Sequence, residues 1–161
     1  MDASVLRAKY PRLIPERFGF EFHEDGGWLG LLDDFFAVVD RVLPTDVPFQ
    51  LLQVKEKFGG LRIYYHIDGV VPDAVSNEIR DALVRADARS EHTCEVCGKR
   101  GSPHRLGTYI LTVCEEHAEV NGRVAIPETG RTSIIRTNST GFQRYDFDMD
   151  AFVPCDPPEG W

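Results

Sequence analysis

Two short donor pairs constrain this chain more than any other feature. Cys94-x-x-Cys97 is followed, after sixteen residues, by Cys114-x-x-His117. Each two-residue gap lets a tight turn bring two donors onto one ion. Three thiolates with one imidazole hold zinc tetrahedrally at about 2.0–2.3 Å. Gly98 stands directly after the second cysteine, where a backbone free to take positive φ can turn amides toward the sulfurs. Four protein ligands leave no position for water. The spacing therefore predicts one structural Zn2+ held by Cys94, Cys97, Cys114 and His117, stabilising the fold rather than activating a nucleophile. His104, inside the spacer, and Cys155, in the tail, compete for the fourth position. His117 is preferred because it repeats the two-residue gap, and Cys155 reads as a lone thiol.

The spacer predicts a turn and then a strand at Tyr109-Ile110-Leu111-Thr112-Val113, running straight into Cys114. After it, EEHAEVNG reads as a short helix ended by Asn121-Gly122. Knuckle, hairpin and ligand-bearing helix together predict a treble-clef-like zinc finger over residues 92–122. Disulfides are not expected, since Cys94 and Cys97 are too close for a usual staple and a cytosolic chain keeps its thiols reduced.

Upstream, residues 1–91 predict an α+β domain. The first stretch, to Phe22, reads as a short helix or coil packing through Leu6, Tyr10, Leu13, Ile14 and Phe18. After the turn signal Asp25-Gly26-Gly27, Trp28, Leu32, Phe35, Phe36, Val39, Val42 and Leu43 recur at helical spacing, and Pro44 closes the run. From Pro48 to Ile67 the residues favour strands, with Gly59-Gly60 as the tight turn of a β-hairpin. A second helix follows Pro72, with Val75, Ile79, Ala82, Leu83 and Ala86 on one side. Residues 123–161 predict a β-rich segment packed on the rest, with strands near 132–137 and 143–149 and an extended Pro-rich tail that Trp161 could dock. One single domain is the alternative to this three-part division.

Two surface groups stand out as candidate partner-binding sites. Lys55, Lys57 and Arg62 cluster near the hairpin tip, either gripping a phosphate or acidic partner or forming a solvated face that blunts an edge strand. Asp146, Asp148 and Asp150 alternate with Tyr145, Phe147 and Met149, so a strand would carry all three carboxylates on one side. The D-x-D-x-D string is not a calcium loop, because Ala151 stands where glycine is needed and Pro157 where glutamate is needed. No nucleophile motif, phosphate loop or dinucleotide fingerprint is present, so no catalytic residue is assigned and no enzyme is expected. His66 beside Asp68 is the one acid–base pair worth weighing.

A formal charge of −8 disfavours a general nucleic-acid binder, which needs a cationic field, and suits a basic partner. The cations around the finger, Lys99, Arg100 and Arg105, are opposed by five glutamates. No apolar run approaches the length of a spanning helix, and the first residues lack a secretory h-region, so a cytoplasmic protein with no membrane role is expected.

The string Val54-Lys55-Glu56-Lys57-Phe58-Gly59-Gly60-Leu61-Arg62-Ile63-Tyr64, followed by a helix and the Cys94/Cys97/Cys114/His117 set, resembles a family of small bacterial and phage proteins of uncharacterised activity. The resemblance covers about residues 26–118 and implies the architecture rather than a reaction. By analogy with toxin-neutralising immunity proteins, the expected function is binding and blocking a basic protein such as a toxin or nuclease. A nucleic-acid-associated zinc finger using the basic hairpin tip is the alternative, and it predicts Lys55, Lys57, Arg62, Arg100 and Arg105 gathered on one face.

Overall fold

The computed structural model describes residues 1–130 and 135–161. Its architecture is α+β. Helix α1 spans Ala3–Lys9 and is capped by Asp2, whose carboxylate accepts the Ser4 amide at 2.8 Å. Helix α2 spans Leu29–Val42 and buries Leu29, Leu31, Leu32, Phe35, Phe36 and Val39, the apolar stripe its 3.6-residue period lays along one face. Strands β1 (Phe49–Lys57) and β2 (Gly60–Ile67) form an antiparallel hairpin, and helix α3 (Asp73–Ser90) follows Pro72 to pack on α2 and β2. One apolar cluster joins these elements, with Trp28, Phe35, Phe36, Leu61 and Ile79 among its fully buried side chains.

The hairpin turn sits one residue earlier than the sequence suggests. Lys57 pairs with Gly60, so Phe58 and Gly59 are the turn residues, both at positive φ (52° and 77°). Register is set by burial: Val54 and Leu61 must both face the core, and a one-residue slip would expel them. Phe58 accordingly points outward at 60% exposure, while Leu61 is 1% exposed. Gly60 opens β2, where a Cβ would lie 2.6 Å from the Arg62 guanidinium, the movable end of a long side chain.

After α3 come β3 (Ser102–Leu106) and β4 (Tyr109–Val113), a second antiparallel hairpin. Then the expected helix is absent. A single 3-10 turn, Glu115–His117, is followed by β5 (Glu119–Val120) and β6 (Arg123–Val124), a small hairpin around Asn121-Gly122. Both turn residues are at positive φ (52° and 76°), the geometry of a primed two-residue turn, for which Asn-Gly is the strongest local signal. So short a segment could not offset the cost of nucleating a helix against that preference. Strand β7 (Ile126–Pro127) adds to β3.

The C-terminal segment is a three-stranded meander of β8 (Ile135–Asn138), β9 (Gly141–Asp146) and β10 (Ala151–Cys155). The part of the first expected strand at 132–134 lies outside the described residues. The second expected strand stops at Asp146, and residues 147–150 form a turn. The alternating carboxylates therefore do not form a ladder on one strand face. Trp161 does dock the tail, edge-on to Phe142 at 5.3 Å. No described helix is long and apolar enough to cross a membrane.

Candidate metal centre

The segment after α3 is folded by its own backbone into a metal knuckle. Thr93 bridges Arg100, the Cys94 amide donates to Lys99 O at 2.8 Å, and the Gly98 amide donates to Cys94 O at 2.9 Å. Gly98 takes φ +77°, the left-handed turn its sequence position suggested. The second pair is placed by β4, which ends at Val113, and by the 3-10 turn, in which the His117 amide donates to Cys114 O at 3.0 Å.

These turns bring one donor atom from each of Cys94, Cys97, Cys114 and His117 within 4.8 Å of one another. Cys97 Sγ lies 3.8 Å from Cys114 Sγ, and His117 Nδ1 lies 3.2 Å from Cys114 Sγ and 3.7 Å from Cys94 Sγ. A tetrahedron with metal–sulfur bonds of about 2.3 Å has sulfur–sulfur edges of about 3.8 Å, so the group has the dimensions to hold one metal ion. The same separation is far beyond a disulfide bond, and all four cysteines are free. Among the described residues this is the one such cluster, and neither rival donor joins it. His104 is buried in β3 with Nδ1 2.7 Å from Ser102 O, and Cys155 ends β10.

The thiols of Cys94 and Cys97 are shifted in opposite directions. Burial alone would raise the Cys94 thiol, but backbone amides of Cys97, Cys114 and Val96 outweigh it and lower the thiol to about 7. Burial pushes the Cys97 thiol up, against the Lys99 amide and helped by hydrogen bonds with the Cys94 and Cys114 thiols and by repulsion from Cys94. Three sulfurs this close ionise together only around a positive ion.

The knuckle is seated on the N-terminal core by contacts that local spacing does not reveal. The Gly27 amide donates to Glu95 O at 2.7 Å, and the Trp28 indole N–H donates to Thr93 O at 2.9 Å. Gly27 has no room for a side chain: a Cβ would lie 2.0 Å from Cys94 O and 2.1 Å from the Gly98 amide nitrogen. On the other side, the buried Thr112 hydroxyl donates to Gly59 O at 2.6 Å, joining β4 to the tip of the β1–β2 hairpin. Sequence reading takes Gly26-Gly27 only as a turn signal and misses this close approach.

Beside the knuckle lies a cleft of about 260 Å³ lined by Glu21, Phe22, His23, Trp28, Glu56 and Glu95. Burial pushes the Glu95 carboxyl up to about 7, with further repulsion from Glu56. Its residues come from three separate stretches of chain, so no motif announces the cleft.

The two candidate surface groups are engaged within the molecule. Lys55 and Arg62 face each other across β1–β2; Arg62 pairs with Asp87 of α3, and Lys55 Nζ sits 5.4 Å from the Tyr64 ring centre. Lys57 Nζ lies 5.7 Å from the ring centre of Phe58. Asp146 accepts the Met149 amide at 3.0 Å, closing the 147–150 turn. Asp148 pairs with Arg100 at 2.9 Å, and Asp150 accepts from the Tyr145 hydroxyl at 2.6 Å and lies 3.4 Å from Arg89. Phe147 is held between Arg89 and Arg100, 4.3 and 4.7 Å from its ring centre. Burial, then the bond to Asp150, pushes the Tyr145 hydroxyl up to about 12. The turn is thus a clasp from the C-terminal sheet onto the end of α3 and the knuckle. His66 and Asp68 are both exposed where β2 ends. Comparison with known proteins gives no further identification: no family model, no curated protein and no solved structure matches this chain.

Proposed function

We propose that the Cys3His group holds one structural zinc ion and that the protein so stapled binds and blocks a basic protein partner, in the manner of an immunity protein acting on a toxin or nuclease. Zinc is favoured because three thiolates and an imidazole form a soft, tetrahedral and closed set. The observation that carries the partner reading is the fate of the arginines that a nucleic-acid surface would need. Arg62 is paired with Asp87, Arg100 with Asp148, and Arg105 with both oxygens of Glu128 at 2.8 Å. With these cations answered internally and a net charge of −8, the outward field is negative, which steers basic proteins toward the molecule and polyanions away.

The test is capture on the tagged, zinc-loaded protein from its native host, with mass spectrometry and a parallel nucleic-acid retention assay. The expected result is one stoichiometric basic protein whose activity falls when the complex forms. Salt-sensitive retention of nucleic acid with no protein partner would overturn the proposal and restore the nucleic-acid reading.

A further inference from the structure

We infer that the cleft between the metal knuckle and the β1–β2 hairpin receives one arginine side chain of the basic partner, an inference that rests on the protein-binding reading above. The lining supplies three acidic side chains, Glu21, Glu56 and Glu95, two aromatic rings, Phe22 and Trp28, and His23, with no lysine or arginine among these residues. Glu95 Oε2 is buried and has no hydrogen-bond partner among the described residues, so its lost hydration is uncompensated until a donor enters. The other two carboxylates are held in position through one oxygen each, Glu21 by Gln53 Nε2 and Glu56 by the Gly59 amide, both at 2.7 Å.

The spread of these groups decides what kind of cation fits. Among the described residues, only the Cys3His set brings three ligand atoms within 4.8 Å of one another. The cleft carboxylates and His23 therefore stand too far apart to share a bare metal ion. A guanidinium, with five N–H donors in a planar fork, reaches separated carboxylates at once and stacks against aromatic rings. The rings are suitably fixed: Phe22 and Trp28 lie 6.1 Å apart and tilted, and the indole N–H is already committed to Thr93 O. At about 260 Å³ the cleft falls just below the usual range for cofactor-sized ligands, which suits a single side chain. Glu21 and His23 are exposed, so the cleft opens to solvent and to an approaching surface.

Trp28 reports on occupancy, because Trp161→Phe leaves it the sole tryptophan. The zinc-loaded Trp161→Phe protein is titrated with the capped tripeptide acetyl-Gly-Arg-Gly-amide and with its citrulline counterpart, a neutral isostere. The arginine peptide is expected to change Trp28 fluorescence saturably and the citrulline peptide not to. Glu21→Gln and Glu56→Gln, which keep the acceptor oxygens, should each raise the Kd about five- to tenfold at unchanged zinc content. Equal responses to both peptides, or no saturable response to arginine at millimolar concentration, overturns the inference. The two readings separate in a capture experiment with the Glu21→Gln/Glu56→Gln double variant. A partner retained undiminished removes the cleft from the interface and leaves the partner reading standing. Arginine-peptide binding with no partner captured does the reverse.

Discussion

Gly27 and Glu95 show how much of this molecule depends on single positions whose roles are set by distant neighbours. Gly27 is the floor on which the knuckle rests, with the Cys94 carbonyl and Gly98 amide occupying the space a methyl group would need. Gly27→Ala is therefore expected to destabilise by about 2–3 kcal/mol, a melting temperature lower by about 5–10 °C, through displacement of the knuckle. Thermal unfolding of the zinc-loaded variant checks this, and a melting point equal to the parent's would show that the knuckle does not bear on Gly27. The four metal donors were legible because their spacing is local and chemically specific. Gly27 was not, since a glycine pair in a sequence announces only a turn. Glu95 reads in the sequence only as one of the five glutamates around the finger, because nothing local tells that its carboxyl is buried and close enough to Glu56 to feel its charge.

At the scale of elements, period and burial carried the expectations furthest. Helices α2 and α3 and the β1–β2 hairpin follow directly from apolar spacing, since each has one face to bury. The reading failed where two local signals competed. Asn121-Gly122 serves equally as a helix stop and as a hairpin turn, and the hairpin won. Asp146, Asp148 and Asp150 satisfy strand alternation, but Arg89 and Arg100 draw the latter two into a turn. The docking of α1 on α2 gives a prediction with a sign. Burial would raise the Asp33 carboxyl, but bonds from Lys9 Nζ at 2.7 Å and the Tyr10 hydroxyl at 2.5 Å hold it below its ordinary value of 3.8. A carboxyl depressed in the folded state contributes stability that is present above its unfolded pKa and is lost as pH falls through the folded value. Asp33→Asn should thus lower the melting temperature by about 1–3 °C at pH 6, a small effect because the Lys9 end of the pair is half exposed and screened by solvent, and narrow the gap to the parent below pH 3.8. Melting curves across that range, with a constant offset at every pH, would contradict it.

Across the whole molecule, the apolar core belongs to the first 86 residues, and the metal segment and C-terminal sheet are fastened to it by polar contacts. Trp28 to Thr93, Thr112 to Gly59 and Arg89 to the 145–150 clasp are among those fastenings. With so little apolar core of its own, this segment is where the zinc we propose would contribute most to stability. Composition and charge are local sums that the sequence displays directly, but the cleft beside the knuckle exists only once three separate stretches of chain meet. The most direct test of the account is metal analysis of the purified protein, with thermal unfolding before and after chelation and in Cys94→Ser and Cys114→Ser. The account predicts one zinc per chain, and a large loss of stability on chelation and in both variants. Undiminished zinc content and an unchanged melting temperature in both variants would contradict it.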